Sequence, residues 1–305
     1  MNNIKVIFIS TPDFGLPSLE ALINDKDFNI VSVITKSDKP VGRKQILTSP
    51  PIKQKALKNN ISVLQPIKIK TIVAEIEALS PDIIIVVAYA QIIPQVILDI
   101  PKYGCINVHG SLLPKFRGAS CIQAAILNGE KKTGVTIMKM DAGLDTGPIL
   151  AQREVEIEPN WTSGDLYDKI SVLGGEILAP TIKAYIAGEI QEKAQDNSAS
   201  SYAKMLKKED GLIDFNQDAV NVERFVRAMQ PWPGSFTDQQ IKILEVSGEI
   251  LDTESYAPGD FFEYNNQLAV KCFRGALIVN RIQPVGKKII TGQEFLNGYK
   301  KYIKK

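Results

Sequence analysis

Unbroken apolar runs of strand length alternate, along the first half of the chain, with segments whose apolar residues recur at helical spacing. Ile4–Ser10 (IKVIFIS), FNIVSVITK, ISVLQP, PDIIIVVAYA and CINVHGS each predict a strand, and the first is followed by the turn TPDFGLP and the helical segment SLEALIN. Continuous apolar strands separated by helices predict a parallel sheet covered on both faces. Thr133–Met140 and Ile149–Ile157 then predict a strand pair joined by the Gly- and Asp-rich loop DAGLDTGP. Thr162–Gly188 predicts a long helix, with Thr162 or Ser163 able to cap its start.

The pattern changes over Glu192–Gly211, a polar, Ser-rich and charged stretch that reads as a linker. Beyond it one helix, Asp218–Met229, precedes short strands: QIKILEVSGEI, GDFFEYNN, QLAVKCF and ALIVNRIQP, separated by Gly, Asn and Pro turns. Closely spaced short strands suggest a small closed barrel, for which an OB-like barrel is one candidate. The expected fold is therefore α/β: a Rossmann-like, mostly parallel sheet domain at 1–190, a linker at 191–205, and a small β-barrel (OB-like) domain at 206–305.

Composition narrows this picture. A chain of 305 residues exceeds the usual size of one domain, and 44% hydrophobic with 23% charged residues suits a sizeable core. The longest apolar run, IIIVVAYA (Ile83–Ala90), is well short of the roughly 18–20 residues a membrane helix needs, so no membrane partner is expected. The start, MNNIKVIFISTPDF, lacks a basic n-region and a cleavage site and reads as a buried strand. Cys105, Cys121 and Cys272 are odd in number and show no CxxC spacing, which fits a reducing, cytoplasmic setting. One histidine and scattered cysteines cannot supply a standard zinc set, so no metal is expected. The net charge of +2 confines any nucleic-acid surface to a local patch.

The candidate chemistry centres on CINVHGSLLPKFRGAS, which contains His109, the single histidine of the chain. Asn107 and His109 stand two apart, so at a strand end both side chains share one face. The crevice beyond the carboxyl ends of such strands is the usual ligand site of open α/β sheets. MDAGLDTGPIL supplies a carboxylate: Asp145, after the turn, is preferred to Asp141, which is expected to fix the loop backbone. No GxSxG, Walker loop or GxGxxG is present. An amide donor for a developing oxyanion, an imidazole that moves a proton near neutral pH and a carboxylate that holds it suit acyl transfer to a directly attacking amine.

The same residues resemble the signature of folate-dependent formyltransferases that act on methionyl initiator tRNA. The resemblance is carried by Asn107-Val-His109-Gly-Ser111-Leu-Leu-Pro114, Arg117-Gly118, Gly143-Leu-Asp145-Thr-Gly147, STPDF, the basic loop SDKPVGRKQILTSPPIK and QPWPGSF. It implies that Asn107, His109 and Asp145 form the catalytic trio, and that Ser111, Leu112, Leu113 and Pro114 form a folate-binding loop. It implies 10-formyltetrahydrofolate as formyl donor and the α-amino group of methionine on charged initiator tRNA as acceptor. In such a family Arg43, in the long basic loop Thr35–Ile52, would meet tRNA, and the second domain would help hold it; a monomer is expected. Ser37 stands where the family pattern often has proline. Asp13 is read as a turn or cap residue shaping the crevice floor, and Trp232 as packed at a domain junction rather than stacked on a base. Transfer to a small amine, hydrolysis of formyl-folate, a non-catalytic RNA-binding role and, weakest, a nicotinamide oxidoreductase are the competing readings; the Arg43 loop and the extra barrel favour tRNA over the first two.

Overall fold

The computed structural model describes residues 3–42, 44–250 and 255–304. The chain divides into two compact units, one of residues 1–121, 132–156 and 167–204, the other of 122–131, 157–166 and 205–305.

The first nine strands are β1 (Ile4–Ser10), β2 (Phe28–Ile34), β3 (Lys39–Val41), β4 (Ile46–Thr48), β5 (Val63–Leu64), β6 (Ile83–Val87), β7 (Cys105–His109), β8 (Lys132–Lys139) and β9 (Ile149–Glu156). The helices among and after them are α1 (Leu16–Asn24), α2 (Pro51–Lys58), α3 (Val73–Leu79), α4 (Gln95–Leu98), α5 (Cys121–Leu127) and α6 (Ser163–Ile186). Seven strands form one sheet in the order β5-β2-β1-β6-β7-β8-β9. Pairing is parallel from β5 through β7, and antiparallel where β8 joins β7 and β9 joins β8. The mostly parallel sheet expected from the unbroken apolar runs is thus present, with the predicted strand pair added antiparallel at its edge.

β6 is buried along its whole length, as a central strand covered on both faces must be. Ile7, Ile9, Ile34, Ile84 and Val86 pack in one cluster with Ile76 of α3 and Ile97 of α4, so alternate residues of neighbouring strands share one face. Gly174 within α6 permits a close approach: a Cβ there would lie 2.8 Å from Val108 Cγ1 of β7. The sheet's central residues carry its stability. Ile85→Ala, at a fully buried position of β6, is expected to cost about 2–5 kcal/mol in a urea unfolding measurement.

The second unit holds α7 (Ala219–Ala228), β10 (Lys242–Ile250), β11 (Phe261–Tyr264), β12 (Gln267–Lys271), β13 (Ala276–Gln283), β14 (Ile290–Thr291), α8 (Gly292–Gly298) and β15 (Ile303–Lys304). Its sheet runs β10-β13-β12-β11-β15, with β14 also on β13. Ala219, Val222 and Val226 recur at helical spacing on α7 and meet Ile243, Leu268, Val270 and Phe295 in the core. Trp232 departs from expectation: it is 56% exposed rather than packed. The rigid Pro-Trp-Pro sequence fixes the backbone without giving the indole a pocket. Among the described residues no helix is long and apolar enough to cross a membrane.

Candidate active site

β7 enters the sheet beside parallel β6 and leaves beside antiparallel β8, so its carboxyl end meets loops from both directions. Asn107 is half-buried there and His109 is buried. The predicted trio comes together. Asn107 Nδ2 donates to Asp145 Oδ1 at 3.3 Å, and Asp145 Oδ2 lies 3.7 Å from His109 Nδ1. The Gly118 N–H donates to the same Asp145 Oδ2 at 2.8 Å. The Asn107 amide carries two hydrogens, so this bond leaves one for a ligand.

His109 Nε2 faces the Phe116 carbonyl at 3.0 Å. A carbonyl only accepts, so Nε2 carries a proton and Nδ1 is left toward the carboxylate. A second proton on Nδ1 gives an imidazolium between a carbonyl and a carboxylate. Burial lowers the imidazole pKa, but the adjoining Cys121 sulfur, the Asp145 carboxylate and the Phe116 carbonyl outweigh it, raising the pKa to about 9. Nothing in the sequence marks Cys121 or the Phe116 carbonyl as a neighbour of His109. A cysteine twelve positions on, across a turn, carries no spacing signal.

Ser111 to Pro114 form a braced loop. Ser111 Oγ donates to the Lys115 carbonyl at 2.7 Å, and the Ser111 carbonyl accepts from Thr136 Oγ1 at 2.6 Å. Leu113 N–H donates to Thr136 Oγ1 at 3.1 Å, and its carbonyl accepts from Gln152 Nε2 at 2.9 Å. Ser111 and Leu113 are therefore buried and bonded inward, while Leu112 and Pro114 are half-exposed. Thr136 and Gln152, on β8 and β9, are supports that the sequence did not disclose. The expected turn role of Asp13 has a partner, since its Oδ1 accepts from Tyr167 OH at 2.6 Å.

Arg43 lies outside the described residues. The loop around it is a short exposed hairpin, β3 with β4, carrying Lys39 and Lys44. Its base is fixed where Lys53 Nζ donates to both Asp38 carboxylate oxygens at 2.9 Å and Gln65 Nε2 donates to Asp38 Oδ1 at 2.9 Å. Bonds from Gln65 and Lys53 hold the Asp38 carboxyl at about 2, well below its ordinary value. Among the described residues no group of three or more His, Cys, Asp or Glu side chains could hold a metal ion.

A mostly parallel α/β sheet thus gathers an amide, an imidazole and a carboxylate on one strand and its facing loop, the set expected of a group-transfer enzyme. Family models describe the chain as formyl transferase over residues 3–182 and as formyl transferase, C-terminal domain, over 205–300. The chain belongs to the formyl transferase family. It is 42% identical to the methionyl-tRNA formyltransferase of Geotalea uraniireducens over 98% of this chain and 96% of the relative. It is 41% identical to that of Myxococcus xanthus over the same shares, 98% and 96%. Its fold resembles an N-formyltransferase from Helicobacter canadensis solved with folinic acid and dTDP-3-aminofucose, with a TM-score of 0.69 at 23% identity over 90% of this chain and 98% of that one. It also resembles HypX from Aquifex aeolicus in complex with tetrahydrofolic acid, with a TM-score of 0.63 at 15% identity, covering 100% of this chain and 49% of that chain.

Proposed function

We propose that the enzyme transfers the formyl group of 10-formyltetrahydrofolate to the α-amino group of methionyl initiator tRNA, in support of translation initiation. What carries the reading is one cluster of Asn107, His109 and Asp145 in a chain 42% identical to methionyl-tRNA formyltransferases. The neutral amine attacks the formyl carbon, and the carbonyl π-bond becomes an oxyanion. The remaining Asn107 amide hydrogen and the His109 imidazolium stabilise that charge. The bond from carbon to the folate nitrogen then breaks, the nitrogen takes a proton, and the amine gives one up. One proton enters and one leaves, so the His109–Asp145 pair ends the cycle as it began.

The formyl donor is a substrate, and the residues at the carboxyl edge suit it. The segments leaving β5 and β6 present Ile67 and Ile92, 88% and 89% exposed, apolar surface that a flat pteridine would cover. The half-exposed Leu112 and Pro114 are proposed as further folate contacts, with Ser111 and Leu113 holding their loop. Arg43 is proposed as a tRNA contact, supported by the exposed basic hairpin that flanks it. Residues 1–190 are read as the catalytic domain and 206–305 as the tRNA-contacting one, joined through 191–205. The enzyme is taken to act as a cytoplasmic monomer, where charged initiator tRNA is used.

The test is formyl transfer from 10-formyltetrahydrofolate to methionyl initiator tRNA, with free methionine and small amines as controls. Product on the charged tRNA alone is the expected result. Formylation of a small amine with none on tRNA would overturn the reading.

A further inference from the structure

We propose that Gln195 is a positioning residue for formyl transfer, whose side-chain amide ties the turn carrying Asp145 to the loop carrying Phe116 and Arg117. The proposal rests on the reading of Asn107, His109 and Asp145 given above. Gln195 Nε2 donates to the Asp145 carbonyl at 2.9 Å and to the Gly147 carbonyl at 2.7 Å. On the other side Gln195 Oε1 accepts from Arg117 Nε at 3.1 Å and Nη2 at 2.8 Å. The orientation of the amide is unambiguous. Guanidinium groups only donate and carbonyls only accept, so the opposite orientation would set donor against donor and acceptor against acceptor.

Both tied segments are held in backbone conformations that L-residues avoid. Phe116 has φ of +59° and Asp145 +52°. Such conformations are strained and persist where the surroundings over-determine them. For Phe116 the surroundings are the segment that includes Gln195: its N–H donates to Ser201 Oγ at 2.9 Å. The next residue is clasped on both sides, with Arg117 N–H donating to the Ser201 carbonyl at 2.8 Å and Ala203 N–H to the Arg117 carbonyl at 2.7 Å. Gly118 then packs so closely that a Cβ would meet the Ala203 carbonyl oxygen at 2.6 Å. For Asp145 the corresponding tie is Gln195. The Phe116 carbonyl orients one nitrogen of His109 and the Asp145 carboxylate faces the other. The Gln195 amide therefore adds, beside the Gly118 N–H on Asp145 Oδ2, a second tie between the segments carrying the two groups that hold the imidazole.

The chain's single histidine gives the test an internal reporter. Cys121 and Asp145 are the titratable groups in contact with its ring. Gln195→Ala should lower kcat by about 10²-fold, the loss typical of a misplaced catalytic group, with KM little changed. The histidine resonance, followed by NMR against pH, should titrate at a lower pH than in the wild type. Gln195→Glu keeps the acceptor for Arg117 but has no hydrogen for the two carbonyls, so it should be as impaired as Gln195→Ala. Wild-type kcat in Gln195→Glu would overturn the proposal. So would an unmoved histidine titration in Gln195→Ala, even if kcat fell. Should the wild type leave tRNA unformylated while Gln195→Ala still shifts the titration, the positioning role stands and the tRNA reading falls.

Discussion

His109→Ala should reduce kcat for formyl transfer by about 10²–10⁴-fold, the range for loss of a positioned proton carrier. KM for either substrate should change far less, because the buried ring acts on the charge and protons that develop in transfer rather than on bound substrate. The pH dependence separates a charged from a neutral role. With the imidazole pKa raised to about 9, the imidazolium persists through neutrality and is lost as pH climbs past that value. The attacking amine must be neutral, and an ordinary α-amino group titrates at about 7.7–8.0. Wild-type kcat/KM should therefore rise through the amine's pKa and fall again near pH 9, giving a bell with its maximum between them. A flat alkaline limb would show that the imidazolium is not used.

The same shift has a consequence for stability. The folded-state pKa lies above the unfolded value, so folding gains from the protonated form. That contribution is fully present below about pH 6.5 and is lost as pH rises through about 9. His109→Gln should remove this dependence. Thermal unfolding of wild type and variant across that window measures it, with wild type expected to lose stability toward high pH and the variant to stay level.

Strand alternation made Asn107 and His109 legible in the sequence, since a spacing of two on one strand forces a shared face. Asp145 was legible because a carboxylate among glycines can approach closely. The supports were not. Phe116 acts through its carbonyl, which every residue possesses. Thr136 and Gln152 hold the Ser111–Pro114 loop from strands whose side chains read as ordinary alternation. Gln195 and Ser201 fall in a polar, Ser-rich stretch whose composition reads as a linker. The residue types that keep a linker solvated are also those that satisfy the backbone of a neighbouring loop, and only the tertiary partner distinguishes the two uses. The apolar runs fixed the sheet for the opposite reason: a strand buried on both faces leaves no other place for IIIVV. Trp232 shows the limit of residue type alone: read as packed, it is 56% exposed.

Asn107→Ala should lower kcat by about 10²–10³-fold, the usual loss on removing one oxyanion donor. Two effects of the substitution must be told apart. The amide hydrogen proposed to meet the oxyanion disappears, and so does the bond that ties Asp145 Oδ1 to β7 at 3.3 Å. Asp145 keeps its contact with the Gly118 N–H at 2.8 Å, so its carboxylate remains anchored at the other oxygen. If the oxyanion role dominates, the histidine titration in Asn107→Ala stays close to wild type while kcat collapses. Asn107→Asp sharpens the distinction. It retains the shape of the side chain but sets a second carboxylate against Asp145, and one of two adjacent carboxylates has its pKa strongly raised. That variant should lose transfer as completely at neutral pH, since an anion faces the developing oxyanion, and its rate as a fraction of the wild-type rate at the same pH should recover in part as pH falls and the carboxyl becomes a donor. Recovery at low pH in Asn107→Asp with none in Asn107→Ala would identify hydrogen-bond donation as what Asn107 supplies; equal profiles would assign the loss to a displaced Asp145.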